Sequence, residues 1–233
     1  MSATTLSLKR DGLRTGAGLR RVWRNLLRVK LALVDRRKYE RVVLETIGDM
    51  SMVVLPDVFN PKLMRSGELL ASQAQHVRGR VLDLGSGSGA CGIAAARHGC
   101  QVVAVDINPS AVRCTRINAL LNNATVEARQ GDLFAPVVDE RFDVVLFNPP
   151  YYRGAPRDQL DYAWRSLDIP ERFAAQVGAH LTDGGYALVV LSTDGDAQAF
   201  LDAFERNQLD CKVVLQRDFL NEVMTIYKVQ TAC

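Results

Sequence analysis

The hydrophobic positions change period several times along the chain, and each change predicts an element. In GLRRVWRNLLRVKL (18–31), Leu19, Val22, Trp23, Leu26 and Leu27 recur at i, i+3, i+4, i+7 and i+8. That is one apolar helical stripe, with Arg20, Arg21, Arg24 and Arg28 beside it. A second helical stretch is expected over 37–48. PDVFNPK (56–62) carries Pro56 and Pro61 and predicts an irregular connector; 65–75 predicts a helix capped near Ser66. From residue 80 onward short apolar runs alternate with helical patterns. Strands are expected over 80–84, 101–105, 125–129, 142–147 and 186–192, and helices over 89–98, 109–123, 170–181 and 197–207. The runs 211–218 and 222–229 are separated by so few residues that they predict an antiparallel hairpin. Strands alternating with helices imply a doubly wound, mostly parallel α/β sheet, which binds ligands at the carboxyl ends of its strands.

Composition sharpens the division of the chain. The net charge of +3 combines a basic arm with a mildly acidic body. Residues 1–41 hold 12 Lys and Arg against 3 Asp and Glu, and the remainder 17 against 23. Two parts are expected: a basic helical extension over 1–50 and the alternating α/β domain over 51–233. Three roles are open to the arm: a lid docked by its apolar stripe, a contact to RNA, DNA or another polyanion, or a membrane-surface helix. No run is long and apolar enough to span a bilayer, and no secretory leader pattern opens the chain, so a cytoplasmic location is expected. Five cysteines without CxxC spacing and three scattered histidines predict reduced thiols and no metal site.

VLDLGSGSGA (81–90) follows the first strand of the alternating series and opens a helix. Glycines at alternate positions let the backbone turn sharply and leave no side chain between it and a ligand. Gly85, Gly87 and Ala90 fit G-x-G-x-x-A, and Asp106 lies about twenty residues on. On that stretch alone, a nicotinamide dinucleotide and another adenosine cofactor are equally well served.

Three further stretches separate the two. VLDLGSGSG, AVDINPSAV (104–112), QGDLF (130–134) and FDVVLFNPPY (142–151) resemble, in order and spacing, the four motifs of class I S-adenosylmethionine-dependent methyltransferases. The resemblance implies a Rossmann-like seven-stranded sheet with one antiparallel strand, S-adenosyl-L-methionine as cofactor, and a methyl acceptor as partner. It also implies roles. Gly85, Gly87 and Gly89 pass beneath the cofactor, Asp83 holds its ammonium end, and Asp106 accepts from the ribose hydroxyls. Asp132 accepts from the adenine amino group, Leu133 N–H donates to the ring, and Asn148 borders the cofactor.

The stretch FNPPYY (147–152) reads chemically in its own right. An amide or aromatic amine nitrogen is a poor nucleophile, and acceptors that grip its N–H groups can hold its lone pair toward a methyl group. Asn148 supplies a side-chain carbonyl, while Pro149 and Pro150 supply carbonyls with no competing N–H. Their rings fix the backbone before substrate arrives. Tyr151 can stack on a planar acceptor. Asn148, Pro149 and Tyr151 are thus the candidate catalytic residues, and no strong base is required. Within the class, NPPY together with GDLF and 56–71 is most similar to the HemK-like glutamine methyltransferases of release factors. The acceptor implied is a glutamine-type amide of a protein or peptide; a small metabolite and a nucleobase amino group are the alternatives. A non-catalytic cofactor-sensing or nucleic-acid-binding module is the non-enzyme alternative. Unlike the HemK-like enzymes, this chain has only a short basic arm ahead of the fold. It also has an unfamiliar loop, 152–173, in which Tyr152, Arg153, Trp164 and Arg165 are substrate candidates.

Overall fold

A computed structural model describes residues 41–62, 65–156, 160–219 and 222–232. The amphipathic stretch 18–31 lies outside the described residues. The described chain opens on a hairpin, β1 (Val43–Ile47) and β2 (Met50–Val54), turned at Gly48, which has φ +58°. This corrects the helix expected over 37–48 for the part that is described. Val43, Thr46 and Ile47 are β-branched, and exposure alternates along the strand.

Helix α1 (Ser66–Ala74) comes next and begins one residue earlier than a Ser66 cap would place it. The cap position is Arg65, in the left-handed region at φ +44°, and its side chain makes no capping bond. The alternating series follows: β3 (Arg80–Leu84), α2 (Ala90–Arg97), β4 (Gln101–Asp106), α3 (Pro109–Leu121), β5 (Val126–Gln130) and β6 (Phe142–Phe147). Asn108 caps α3, its side chain accepting from Ser110 N–H at 2.8 Å, with Pro109 in the first turn. Two short strands, β7 (Tyr152–Arg153) and β8 (Arg165–Ser166), pair in parallel. Then come α4 (Ile169–Val177), β9 (Leu181–Ser192), α5 (Ala197–Arg206), β10 (Leu209–Phe219) and β11 (Glu222–Thr231). Strand β9 begins five residues earlier than its apolar run. It passes through Gly184 and Gly185 with an irregular register opposite Phe142 and Val144.

Seven strands form one sheet in the order β10-β11-β9-β6-β3-β4-β5. All are parallel except β11, which runs antiparallel to both β9 and β10. The fold is the doubly wound, Rossmann-like sheet with a terminal hairpin expected from the sequence. Period-two alternation sends Val81 to one core, with Leu70, Ile93 and Val144, and Leu82 to the other, with Val145, Phe173 and Phe204. The same alternation places Asp83 on the α1–α2 face, inside the protein.

Candidate active site

The parallel strands β3, β4, β5 and β6 all end on one side, and a cavity of about 280 Å³ opens there. Its floor is the loop after β3. Gly85, Gly87 and Gly89 lie at φ +66°, +56° and +84°, a backbone path that other residues follow only under strain. Gly85 and Gly87 line the cavity; Gly89 does not. A Cβ on Gly89 would lie 2.9 Å from the Thr115 methyl, so this glycine lets α2 and α3 pack closely.

Two carboxylates face the cavity from the strand ends. Asp83 is buried, and its Oδ2 accepts from Gly92 N–H at 2.8 Å. Desolvation, opposed by that bond and reinforced by the Asp106 charge, pushes its pKa up to about 7. Asp106 accepts from Gly87 N–H and Asn108 N–H, each at 2.8 Å, and burial likewise raises its pKa. Two carboxylates, Asp83 buried and Asp106 half-buried, that disfavour their own ionisation are complemented by a ligand rich in donors. An amino acid ammonium and ribose hydroxyls supply those donors, so the residues fit S-adenosylmethionine.

At the far end of the cradle, Asp132 and Leu133 line the cavity after β5. Leu133 is held at φ +47°, an uncommon conformation for a leucine. Asp132 Oδ2 accepts from an Arg172 Nη2–H on α4 at 2.6 Å.

The stopped strand β6 delivers Asn148, Pro149, Pro150 and Tyr151 to the same cavity. The Tyr151 hydroxyl donates to Asn148 Oδ1 at 3.1 Å, which leaves the second lone pair of that oxygen for another donor. Burial drives the phenol pKa up, so the hydroxyl stays a donor; the nearby Ser66 hydroxyl works in the opposite direction. Behind this turn, Asp196 N–H donates to Tyr151 O at 2.9 Å. Gly195 leaves room for that approach, since a Cβ there would lie 2.8 Å from the Tyr151 Cβ.

The substrate candidates divide. Trp164 and Arg165 line the cavity, and Trp164 meets Phe59 edge-on at 5.2 Å between ring centroids. Tyr152 and Arg153 do not line it. The Tyr152 hydroxyl donates to Asp194 at 2.9 Å, and Arg153 is ion-paired with Glu171 and Asp196. Sequence reasoning missed Phe59 and Arg172. Both reach the site by tertiary packing, and no local spacing marked either.

The family model for the methyltransferase small domain matches residues 49–218. The chain belongs to this family. The enzyme class, S-adenosylmethionine-dependent methyltransferase, and the cofactor implied by the four motifs agree with that membership. Among relatives, a ribosomal RNA small subunit methyltransferase C of Alcanivorax borkumensis is 32% identical over 70% of this chain and 49% of its own length. A putative protein N5-glutamine methyltransferase of Methanocaldococcus jannaschii is 34% identical over 63% of this chain and 78% of its own. A release factor glutamine methyltransferase of Geobacter sulfurreducens is 32% identical over 70% and 63%. The chain thus spans about half the length of the ribosomal RNA relative and less than two thirds of the release-factor one. Among solved structures, the 16S rRNA N2 G1207 methyltransferase of T. thermophilus, in complex with AdoMet and guanosine, has a similar fold. Its TM-score is 0.64 at 24% identity, over 82% of this chain and 50% of that one. Among the described residues, no helix is long and apolar enough to cross a membrane.

Proposed function

We propose that the chain methylates a planar amide or amino nitrogen, with a glutamine-type side chain of a protein or peptide as acceptor. The observation that carries this reading is that Asn148, Pro149 and Pro150 line the same cavity as Asp83 and Asp106. An acceptor wall and a cofactor cradle therefore share one volume. When bound, S-adenosylmethionine supplies a sulfonium-borne methyl group open to in-line attack. The chain contributes orientation. Asn148 Oδ1, its rotamer fixed by the Tyr151 hydroxyl, and the Pro149 carbonyl accept the two N–H groups of the acceptor. With both N–H groups held, the nitrogen lone pair points out of the wall. The Phe59–Trp164 pair borders the same cavity and limits water around the reacting nitrogen. No histidine lines the cavity among the described residues; the nitrogen loses its proton after it has become cationic and acidic.

The HemK-like acceptor is supported by NPPY and by the two glutamine methyltransferase relatives. A nucleobase amino group is the second reading, favoured by the ribosomal RNA relative and the basic arm. Transfer of labelled methyl to fractionated protein, RNA and small-molecule pools decides between them. Label released as N5-methylglutamine after proteolysis is expected. Label confined to RNA would replace the first reading with the second, and label in neither macromolecule would overturn both.

A further inference from the structure

Helix α4 is seated by its aromatic face. Phe173 is fully buried and stacks on Phe147 at 4.6 Å and on Phe134 at 5.9 Å, so the helix is anchored to β6 and to the turn after β5 at once. That seating fixes the neighbouring residue, Arg172, beside the adenine end of the cradle. Its guanidinium lies between two carboxylates, 2.6 Å from Asp132 Oδ2 and 3.7 Å from Asp168 Oδ1, and its backbone N–H donates to Asp168 O. Asp132 Oδ2 is therefore taken. Among the described residues, Oδ1 of Asp132 accepts no hydrogen bond, and both Asp132 and Arg172 line the cavity.

A free aspartate at a loop position would rotate about its side-chain bonds and could meet either a donor or, protonated or bridged by water, an acceptor. One that is tethered to a guanidinium through a single oxygen presents the other at a fixed place, as an acceptor. We propose that Arg172 is the specificity-determining positioning residue of the cofactor site. By holding Asp132 through Oδ2, it aims Oδ1 at the exocyclic amino group of the cofactor's purine and makes the site reject a purine with an oxygen at that position. The proposal rests on the reading that Asp132 accepts from the adenine amino group. The rejection comes from placing a carbonyl oxygen against an immobile carboxylate oxygen, where neither can donate.

The test uses calorimetric binding of S-adenosylhomocysteine and of its 6-oxo analogue, S-inosylhomocysteine, to the full chain and its variants. Thermal melts are run alongside to confirm folding. The wild-type chain is expected to prefer the adenosine compound by about a hundredfold, two missing or opposed contacts at roughly tenfold each. Asp132→Ala should erase most of that preference. Arg172→Met, which keeps the apolar stem, should bring the preference below about tenfold, with most of the change in the adenosine compound's affinity. Arg172→Lys, which keeps the charge without the planar fork, should fall between. If Asp132→Ala erases the preference and both Arg172 variants retain it, or lose affinity for the two compounds equally, the role of Arg172 is overturned and the reading of Asp132 stands. If Asp132→Ala retains the preference, the reading of Asp132 fails and the proposal fails with it.

Discussion

At Asp83 burial and charge are opposed. Its folded pKa, about 7, lies above the ordinary 3.8, so the unliganded fold holds a proton there that the unfolded chain releases. The contribution to stability is accordingly complete below the ordinary value and is lost as pH rises through about 7. Urea midpoints of the unliganded protein should decline across that window, and Asp83→Asn should flatten the decline. The role proposed for Asp83 gives ligand binding the opposite sign, since the ionised carboxylate would hold the cofactor's ammonium. The affinity of S-adenosylhomocysteine should fall as pH drops below about 7, in calorimetry that also registers proton release, and Asp83→Asn should lose that dependence. At Asn148 the expectation is a split between steps. Asn148→Ala should lower turnover about a hundredfold or more, the scale of a lost preorganised contact, while cofactor affinity stays nearly unchanged. Equal losses in both would remove Asn148 from the acceptor wall. These residues were legible because each sits in a contiguous motif at a strand end. Phe59 and Arg172 were not, because the chain folds back over a long separation to bring them in.

Among the elements, the β1–β2 hairpin shows what the sequence concealed. Its apolar residues fit a helical count nearly as well as a strand, and the deciding contact is long-range. Asn118, buried on α3, accepts from Val53 N–H at 2.7 Å through its carbonyl. Its amide donates to Val53 O at 2.7 Å and to Ser88 O at 2.9 Å. The strand is thus defined by a side chain 65 residues away. Asn118→Ala takes the partner from Val53 N–H and Ser88 O, while Val53 O keeps the Cys114 thiol at 3.1 Å, and should cost about 2 kcal/mol in denaturant unfolding. An unchanged midpoint would mean that the hairpin is held by its apolar contacts alone. The elements from β3 to β6 were far easier to read, since buried parallel strands are short uninterrupted apolar runs bounded by turns. The early start of β9 was hidden by Gly184 and Gly185, which resemble a loop and instead sit in an irregular stretch of strand.

For the whole molecule, the charge asymmetry and the topology make separate predictions. The order β10-β11-β9-β6-β3-β4-β5 puts the glycine loop and the NPPY turn on adjacent central strands, β3 and β6, an adjacency that the alternation of elements did not specify. Residues 1–35, most of the basic arm, precede in sequence every described residue that lines the cavity. In either the lid or the polyanion-contact role, its deletion should raise KM for the acceptor several-fold more than it raises Kd for S-adenosylhomocysteine. Full activity of the truncated chain on its acceptor would remove both the lid and the polyanion-contact roles. A last consequence follows from Asn118, whose single side chain grips the hairpin and the glycine loop together. Ligand that steadies the loop must also slow the opening of the strand, so amide exchange at Val53 should drop on adding S-adenosylhomocysteine, although Val53 does not line the cavity. In a cell, a shortage of methyl donor would then loosen the outer hairpin as well as idle the chemistry. Donor supply would set how long each copy survives, not only how fast it works.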